Sequence, residues 1–301
     1  MFRLLSKESN IFSIPIYVGF LFLMFISLNL LDFNKLEMLS AVVTFSGISL
    51  GYFLFNTIAL NRYEHLPLFL YTFFVACFYS ENLELGLAFT LFTNSLLLLI
   101  LTSQNDDLRK SSYVLVGSVL AFNYLVFPFS WPMAVFVIFH IIGTSGRIGL
   151  NLFRLIFGAV LIVLTYFGLM YLIGFTTFDN RYFPFQLNFK PIENFYPLSI
   201  LIPVMLMLVF AVSDHFKHYN EKSPISRYKY TFVLIFALAQ LLTVFFYMKN
   251  HYEYLLLLAL PSSIILSRMM KFLPKYWMQE LCLWLIIFTL AVFKLANYFV
   301  K

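Results

Sequence analysis

Long apolar runs separated by short polar connectors fill the sequence from beginning to end. An α-helix that crosses a bilayer needs about 20 mostly apolar residues, and most of the runs reach or approach that length. The pattern therefore predicts an all-α protein, a polytopic transmembrane bundle of about eleven spans, with a range of nine to twelve. The predicted spans are 11–31, 39–60, 66–79, 83–102, 113–127, 131–142, 152–174, 196–212, 230–247, 254–267 and 281–298.

Four of the runs are short, since 66–79, 113–127, 131–142 and 254–267 hold only 12 to 15 residues. A helix of 14 residues covers about 21 Å, which is less than the ~30 Å hydrocarbon core of a bilayer. The sequence leaves open whether these runs, including the whole stretch 113–142, cross completely or return to the same side. The middle pair adds two crossings or none, so it does not change the orientation of later spans.

The composition agrees with a membrane environment. Of the 301 residues, 61% are apolar and 11% are charged, and the mean hydropathy is +0.87. Soluble domains have roughly 45–50% apolar and about 25% charged residues, so a water-soluble globular protein is excluded. No connector is long enough for a soluble domain and no repeat is visible, so residues 1–301 are predicted to form a single integral membrane domain.

The distribution of basic residues predicts the orientation of the chain. If the eleven runs all cross, 14 of the 20 Lys and Arg residues fall on one side of the membrane. By the positive-inside rule, this side is the cytoplasm. The amino terminus is then cytoplasmic and the carboxyl terminus periplasmic, in a multi-pass protein of the cell inner membrane. The basic residues are spread over short connectors, so no nucleic acid partner is expected.

Acidic residues in the predicted outer connectors are the first candidates for chemistry. Asp32 and Glu37 are candidate catalytic residues, because a carboxylate just above the membrane can act as a general base or hold a metal against a lipid phosphate. Glu81 and Glu84 lie in the next outer connector. The alternative is that these acids simply end helices, since the first turn of a helix favours negative charge.

A glycine-rich connector on the predicted cytoplasmic side is a candidate phosphate site. Residues 143–149 contain three glycines, and Arg147 and Arg154 lie in and just after this connector. Exposed backbone amides beside arginines suit the phosphate of a lipid head group. The connector lacks the Lys-Ser/Thr ending of a nucleotide-binding loop. A tight connection between two helices is the alternative.

The charged connector 213–229 is predicted to be solvated. On a helix, His215 and His218 would share a face with Asp214, as metal ligands do. Two flanking lysines and the lack of a third ligand favour a polar helix end instead. His140, isolated near a predicted cytoplasmic end, is interpreted as a capping or snorkelling residue. We therefore expect no metal and no cofactor.

Small and polar residues inside the predicted spans indicate how helices pack. Gly47 and Gly51 form a pair of small residues four apart, which predicts a close approach of two helices. Asn94, Asn123 and Gln240 can form hydrogen bonds between helices. No acidic residue lies in the middle of a span, which argues against an ion-coupled transporter.

The whole chain resembles a family of uncharacterised polytopic inner-membrane proteins of about this length from Bacteroidota. The resemblance rests on residues 1–7, on 105–131 leading into Arg154, and on 254–284. It implies the same membrane fold and brings no established activity.

Parts of the chain are also similar to the C-fold membrane glycosyltransferases, which use polyprenyl-phosphate sugars at the outer face of the membrane. One part is the polar stretch 106–110 followed by Gly117. The other is a basic and aromatic patch, 249–254, followed by an apolar run that reaches Pro261. The scaffold is therefore expected to be glycosyltransferase-like.

This similarity implies roles for particular residues. By position, Asp32 or Glu37 corresponds to the catalytic carboxylate of those enzymes. Lys249, His251 and Tyr254 correspond to the patch that contacts the lipid phosphate. If the similarity holds, the lipid is a polyprenyl phosphate.

Departures from those enzymes favour a role without catalysis. The first outer connector, 32–38, has seven residues where they carry a long loop, and Glu253 stands where they commonly have Arg. The leading hypothesis is a non-catalytic or accessory subunit in cell-envelope assembly that handles lipid or binds a partner. An active polyprenyl-phosphate-sugar-dependent glycosyltransferase is one alternative, and a small-molecule transporter is another. The expected partners are membrane lipids, among them a polyprenyl-phosphate lipid, and other inner-membrane proteins.

Overall fold

The computed structural model describes residues 1–7, 12–29, 35–58, 64–80, 83–102, 112–144, 146–174, 192, 195–219 and 223–300. These residues form thirteen α-helices and two short 3-10 helices without a β-strand, which confirms the all-α prediction. The α-helices are α1 (Phe2–Leu5), α2 (Ser13–Asn29), α3 (Lys35–Ile58), α4 (His65–Phe78), α5 (Leu85–Leu101), α6 (Tyr113–Val126), α7 (Trp131–Thr144), α8 (Ile148–Leu172), α9 (Tyr196–Ser199), α10 (Ile202–Lys217), α11 (Pro224–Tyr247), α12 (Leu256–Phe272) and α13 (Tyr276–Val300). The 3-10 helices are Pro128–Ser130 and Tyr252–Leu255.

Five of the described helical segments are long and apolar enough to cross a membrane. These segments are Leu36–Phe55, Ile148–Leu172, Ser226–Tyr247, Tyr252–Phe272 and Tyr276–Asn297. Five further apolar helices are shorter, with 10–17 residues. The structure thus agrees with a membrane protein, while the count of eleven crossings and their orientation stay predictions.

One run that the sequence predicts to be short is longer in the structure. The predicted run 254–267 is part of a helical segment of 21 residues, Tyr252–Phe272. The apolar pattern stops at Ser267 because the next residue is Arg268. The helix nevertheless continues, since Arg268 is buried and its guanidinium donates a hydrogen bond to the Ser226 hydroxyl at 2.7 Å.

Helix α12 lies at the centre of the bundle. It packs against α4, α10, α11 and α13, and every residue from Leu256 to Met270 except Leu258 is buried. The serines of this helix can be buried because their hydroxyls bond to their own backbone. Ser263 donates to the Leu260 carbonyl at 2.7 Å, and Ser267 donates to the Ile264 carbonyl at 3.0 Å.

The predicted close packing at Gly47 and Gly51 is confirmed. A Cβ atom on Gly47 would lie 2.7 Å from the backbone nitrogen of Phe92 in α5. A Cβ atom on Gly51 would lie 2.5 Å from the Tyr71 hydroxyl in α4. Both distances are too short for a side chain, so glycine at these two positions lets α3 approach two neighbours.

A second glycine crossing joins α6 to α8. A Cβ atom on Gly117 would lie 1.9 Å from the Leu155 carbonyl oxygen, and one on Gly158 would lie 1.9 Å from the Val114 carbonyl oxygen. The Ser118 hydroxyl also donates to the Gly158 carbonyl at 3.1 Å. Because α8 buries little else, this crossing is its main attachment to the bundle.

Amide side chains connect helices inside the bundle, as predicted. Asn94 of α5 donates to the Gln240 side-chain oxygen of α11 at 3.2 Å. The Thr90 hydroxyl donates to the Asn123 side-chain oxygen of α6 at 3.2 Å. These hydrogen bonds explain how polar residues lie at this depth in an apolar protein.

Candidate functional site

The residues predicted to contact a lipid phosphate near the end of the chain lie on one tight turn. Helix α11 ends at Tyr247, and Lys249 then adopts the left-handed conformation with φ of 46°. The His251 amide donates to the Met248 carbonyl at 2.7 Å, and the Tyr254 amide donates to the His251 carbonyl at 3.2 Å. The turn leads directly into the 3-10 helix and α12, so these residues are held by backbone geometry.

Side chains of this turn are hydrogen-bonded to other helices. We call Ser80, Glu84, Glu253, Tyr254 and Lys294 the turn cluster. The Ser80 hydroxyl donates to Glu253 Oε1 at 3.0 Å, and the Tyr254 hydroxyl donates to Glu84 Oε2 at 3.4 Å. The Lys294 ammonium group donates to the Tyr79 carbonyl at 2.5 Å. The cluster therefore connects the turn and α13 to the connector between α4 and α5.

The three predicted residues of the turn differ in the solvent exposure of their side chains. His251 is exposed, Lys249 is half-buried and Tyr254 is buried, with its ring centroid 5.9 Å from that of Phe127. His251 and Lys249 are therefore the members of this set that an incoming ligand reaches most directly.

The predicted catalytic acids are described in part. Asp32 lies outside the described residues. Glu37 is half-buried in the first turn of α3, a position where the helix dipole favours a carboxylate. The Ser40 hydroxyl donates to the Leu83 carbonyl at 2.7 Å and fixes this end of α3 beside the connector between α4 and α5. Glu37 therefore lies at the same end of the bundle as the turn cluster.

Arg147 and Arg154 are separated from this group. Helices α7 and α11 run antiparallel. At the start of α7, the Trp131 indole N–H donates to the Tyr247 hydroxyl at the end of α11, at 2.8 Å. Near the end of α7, His140 Nδ1 lies 3.4 Å from the Tyr228 hydroxyl near the start of α11. Arg147 follows α7, so it lies toward the second end, and the 24 residues of α11 separate the two ends by about 36 Å. The structure thus divides the predicted phosphate-binding residues between opposite ends of the bundle.

A cavity of about 470 Å³ lies between α7 and α11 at the end where Arg227 is found. We call it the arginine cavity. Both polar and apolar side chains line it, and none of the described lining residues is a carboxylate. The lining residues used below are Phe136, Phe139, His140, Tyr219, Arg227, Tyr228, Thr231 and Phe232.

Arg227 is the cation of this cavity. Its guanidinium carbon lies 5.3 Å from the centroid of the Tyr219 ring, within the range of a cation–π interaction. Its Nε atom is buried and makes no hydrogen bond within the described part of the chain. On the cavity wall, the Tyr228 hydroxyl lies 3.4 Å from His140 Nδ1. The result is a pocket with a cationic, hydroxyl-rich end and an aromatic wall.

The described residues of the connector 213–229 are exposed or half-buried except His215, in agreement with the predicted solvation, but most of them belong to helices. Helix α10 continues to Lys217, and α11 already begins at Pro224. His215 is buried, with its ring centroid 4.4 Å from that of Tyr230, because aromatic rings cover this stretch. His218 is instead exposed and lies 3.0 Å from the Asp214 carboxylate. The two histidines therefore have different surroundings.

Sequence reasoning did not find the arginine cavity. His140 and Arg227 are far apart in the chain, and each has an ordinary explanation alone. The usable signal was the alternation of Tyr228 and Tyr230 with Arg227 and Lys229 at a predicted cytoplasmic helix start. Aromatic and cationic residues interleaved in this way indicate stacked cations more than a solvated loop.

The fold and the five apolar segments define an α-helical membrane protein. The chain belongs to the Family of unknown function (DUF6427), whose model matches residues 1–299. This match confirms the predicted resemblance to an uncharacterised family. Searches of the curated proteins and of the solved structures found no match. The similarity to C-fold glycosyltransferases stays a prediction.

Proposed function

We propose that this protein is a multi-pass protein of the cell inner membrane that serves cell-envelope assembly without catalysis, as an accessory subunit that handles lipid or binds a membrane partner. The observation that carries the proposal is the turn cluster. Its two carboxylates, Glu84 and Glu253, accept hydrogen bonds from side chains of other elements. They join parts of the bundle in the way that structural residues do.

A catalytic carboxylate needs a different arrangement. A general base must come within about 2.6–3.2 Å of the proton that it removes from the substrate. Glu253 already accepts the Ser80 hydroxyl at 3.0 Å, and Glu84 accepts the hydroxyl of buried Tyr254. Breaking these contacts would loosen the turn, so the geometry favours a fixed scaffold over a reaction centre.

Contacts between helix ends are consistent with the alternation of sides in the proposed path of eleven crossings, whose cytoplasmic amino terminus rests on the distribution of basic residues. Ser80 and Glu253 come from two connectors that the sequence places outside. The ion pair of Lys271 with Glu64 joins two helix ends that the sequence places inside. A chain that alternates sides in the predicted order brings such partners together without any connector passing through the bilayer.

An active polyprenyl-phosphate-sugar glycosyltransferase is the second candidate. The observation in its favour is the position of Glu37, which shares an end of the bundle with the turn cluster and takes no part in the hydrogen bonds described above. A Glu37 carboxylate directed at a sugar hydroxyl would act as a general base. This candidate and the proposal differ in what the purified protein does to a sugar donor.

We expect purified protein in lipid nanodiscs to leave a polyprenyl-phosphate-linked sugar intact, because no carboxylate of the turn cluster is available for proton transfer. The measurement is release of radiolabelled sugar into the aqueous phase, with Glu37→Gln as the matched variant. The proposal predicts background release for both proteins. Release by the wild type that is lost in Glu37→Gln would establish the enzyme instead.

A second prediction tests the structural role of Glu253. Glu253→Gln keeps an oxygen that can accept the Ser80 hydroxyl, so we expect the free energy of unfolding to fall by less than about 1 kcal/mol. Glu253→Leu removes the acceptor and should cost about 1.5–3 kcal/mol, the usual range for a hydrogen bond to a charged group. Thermal unfolding in detergent measures both. Equal losses in the two variants would show that the hydrogen bond to Ser80 contributes nothing.

A further inference from the structure

We propose that the arginine cavity binds the phosphate-bearing head group of an anionic membrane lipid. The inference deepens the proposed function, on which it rests for the lipid-handling role, by naming the class of lipid and its site. The site is distinct from the turn cluster, which lies at the opposite end of α11. Three features of the cavity carry the argument: its charge, its buried donor and its apolar wall.

The charge of the cavity favours an anion. Arg227 brings a permanent positive charge, and Tyr228 and Thr231 bring hydroxyl groups, while no described carboxylate lines the space. Guanidinium groups bind phosphate oxygens with short, charge-assisted hydrogen bonds. A head group without a phosphate would leave the Arg227 charge uncompensated in a partly buried place, and a zwitterionic head group would bring a second cation close to it; both are unfavourable.

The Nε atom of Arg227 supplies the specific donor. A buried N–H group without an acceptor is unfavourable, so such groups are rare unless a ligand or water supplies the acceptor. The Tyr219 ring holds the guanidinium through a cation–π contact, and this contact uses none of its N–H groups. The Tyr219 ring therefore positions the Arg227 side chain, and the Nε–H group remains available to donate to a phosphate oxygen.

A second arginine strengthens the positive potential at this end. Arg268 is 6% exposed, lies 4.7 Å from the Tyr230 ring centroid and donates to Ser226. Its Nη1 atom is also buried without a hydrogen bond in the described structure. Its two partners on α11 are one and three residues from Arg227 in the sequence, but Arg268 does not line the cavity. Arg268 therefore adds to the positive potential at this end of α11 without contacting the ligand.

The apolar wall distinguishes a lipid from a free anion. Phe136 and Phe232 line the cavity from facing helices, with their ring centroids 5.2 Å apart. Phe139 also lines it and is exposed at the side of the bundle. A small inorganic anion would leave this wall uncovered, whereas the first methylenes of an acyl chain would cover it. The volume lies in the range of small-molecule sites.

The experiment measures lipid binding to the purified full chain in mild detergent by native mass spectrometry, with phosphatidylglycerol, phosphatidylcholine and inorganic phosphate as separate probes. We expect phosphatidylglycerol to bind at least tenfold more tightly than phosphatidylcholine. Arg227→Gln should lose at least tenfold in affinity for phosphatidylglycerol. Lys275→Gln, which removes an exposed cation elsewhere, should bind like the wild type.

The outcomes separate the possible ligands. Equal affinity for phosphatidylcholine, or unchanged binding by Arg227→Gln, would overturn the proposal. Binding of inorganic phosphate as tightly as phosphatidylglycerol would assign the site to a free phosphate and overturn the lipid assignment. If Arg227→Gln does not fold, Arg227→Lys keeps the charge, lacks the Nε donor and should lose about three- to tenfold. The sugar-release assay is independent, so a failure here does not decide whether the protein is an enzyme.

Discussion

Gly158→Leu is expected to separate α8 from α6 and to destabilise the protein by about 3 kcal/mol, at the upper end of what overpacking usually costs. The reason is geometric, because the added Cβ alone would lie 1.9 Å from the Val114 carbonyl oxygen. That neighbour is backbone of another helix and cannot rotate away. Since α8 is attached mainly at this crossing, the remaining contacts cannot compensate.

The control is Gly168→Leu in the same helix. Beyond the neighbouring backbone of its own helix, no heavy atom of the described residues lies within 4 Å of the position of its added Cβ, so the side chain enters open space. Size-exclusion chromatography and thermal unfolding in detergent compare the two variants. We expect Gly168→Leu to resemble the wild type and Gly158→Leu to melt at a clearly lower temperature or to aggregate. Identical behaviour of the two variants would contradict the glycine crossing.

Phe293→Ala is the second change with a large expected effect, a loss of about 3 kcal/mol in the free energy of unfolding. The Phe293 side chain is 0% exposed and fixes α13 to two elements. Its ring centroid lies 5.7 Å from that of Phe78 in α4 and 6.1 Å from that of Tyr252. Because a lipid environment is as apolar as the core, the loss comes from packing and from the cavity that is left.

The matched control is Phe288→Ala, which makes the same chemical change in the same helix. Phe288 is 70% exposed on the outer surface of the bundle, where lipid would surround it in the membrane. We expect its removal to change the free energy of unfolding by less than about 0.5 kcal/mol. Equal losses from both substitutions would mean that α13 does not face the bundle as described.

Much of the fold could be predicted because membrane helices depend on a local property, the length of an apolar run. This rule finds α3, α8 and α13 directly. It shortens α12, because Arg268 looks like the end of a span until its partners, Ser226 and Tyr230, are known. Helix ends of this kind depend on contacts between distant parts of the chain, and the hydropathy of a local segment gives no information about such contacts.

The candidate sites also differ in whether they depend on local sequence or on contacts between distant residues. Lys249, His251 and Tyr254 are close in the sequence, so the patch that they form could be predicted from the chain alone, while the tight turn that holds them was found only in the structure. The arginine cavity needs His140 of α7 beside Tyr228 of α11, two residues that are brought together only by helix packing. The sequence therefore signals the stacked cation on α11 but not the helix that forms the other wall of the cavity.

The central claim is that the chain threads a membrane with the arginine cavity on the cytoplasmic side and the turn cluster outside. The most direct test is labelling of single cysteines in intact spheroplasts with a membrane-impermeant maleimide, after Cys77 and Cys282 have been replaced by alanine. His251→Cys and Lys275→Cys place thiols at exposed positions before and after α12. The account predicts strong labelling at 251 and labelling at 275 only after the membrane is permeabilised. The reverse pattern, or equal labelling of both positions in intact spheroplasts, would contradict it.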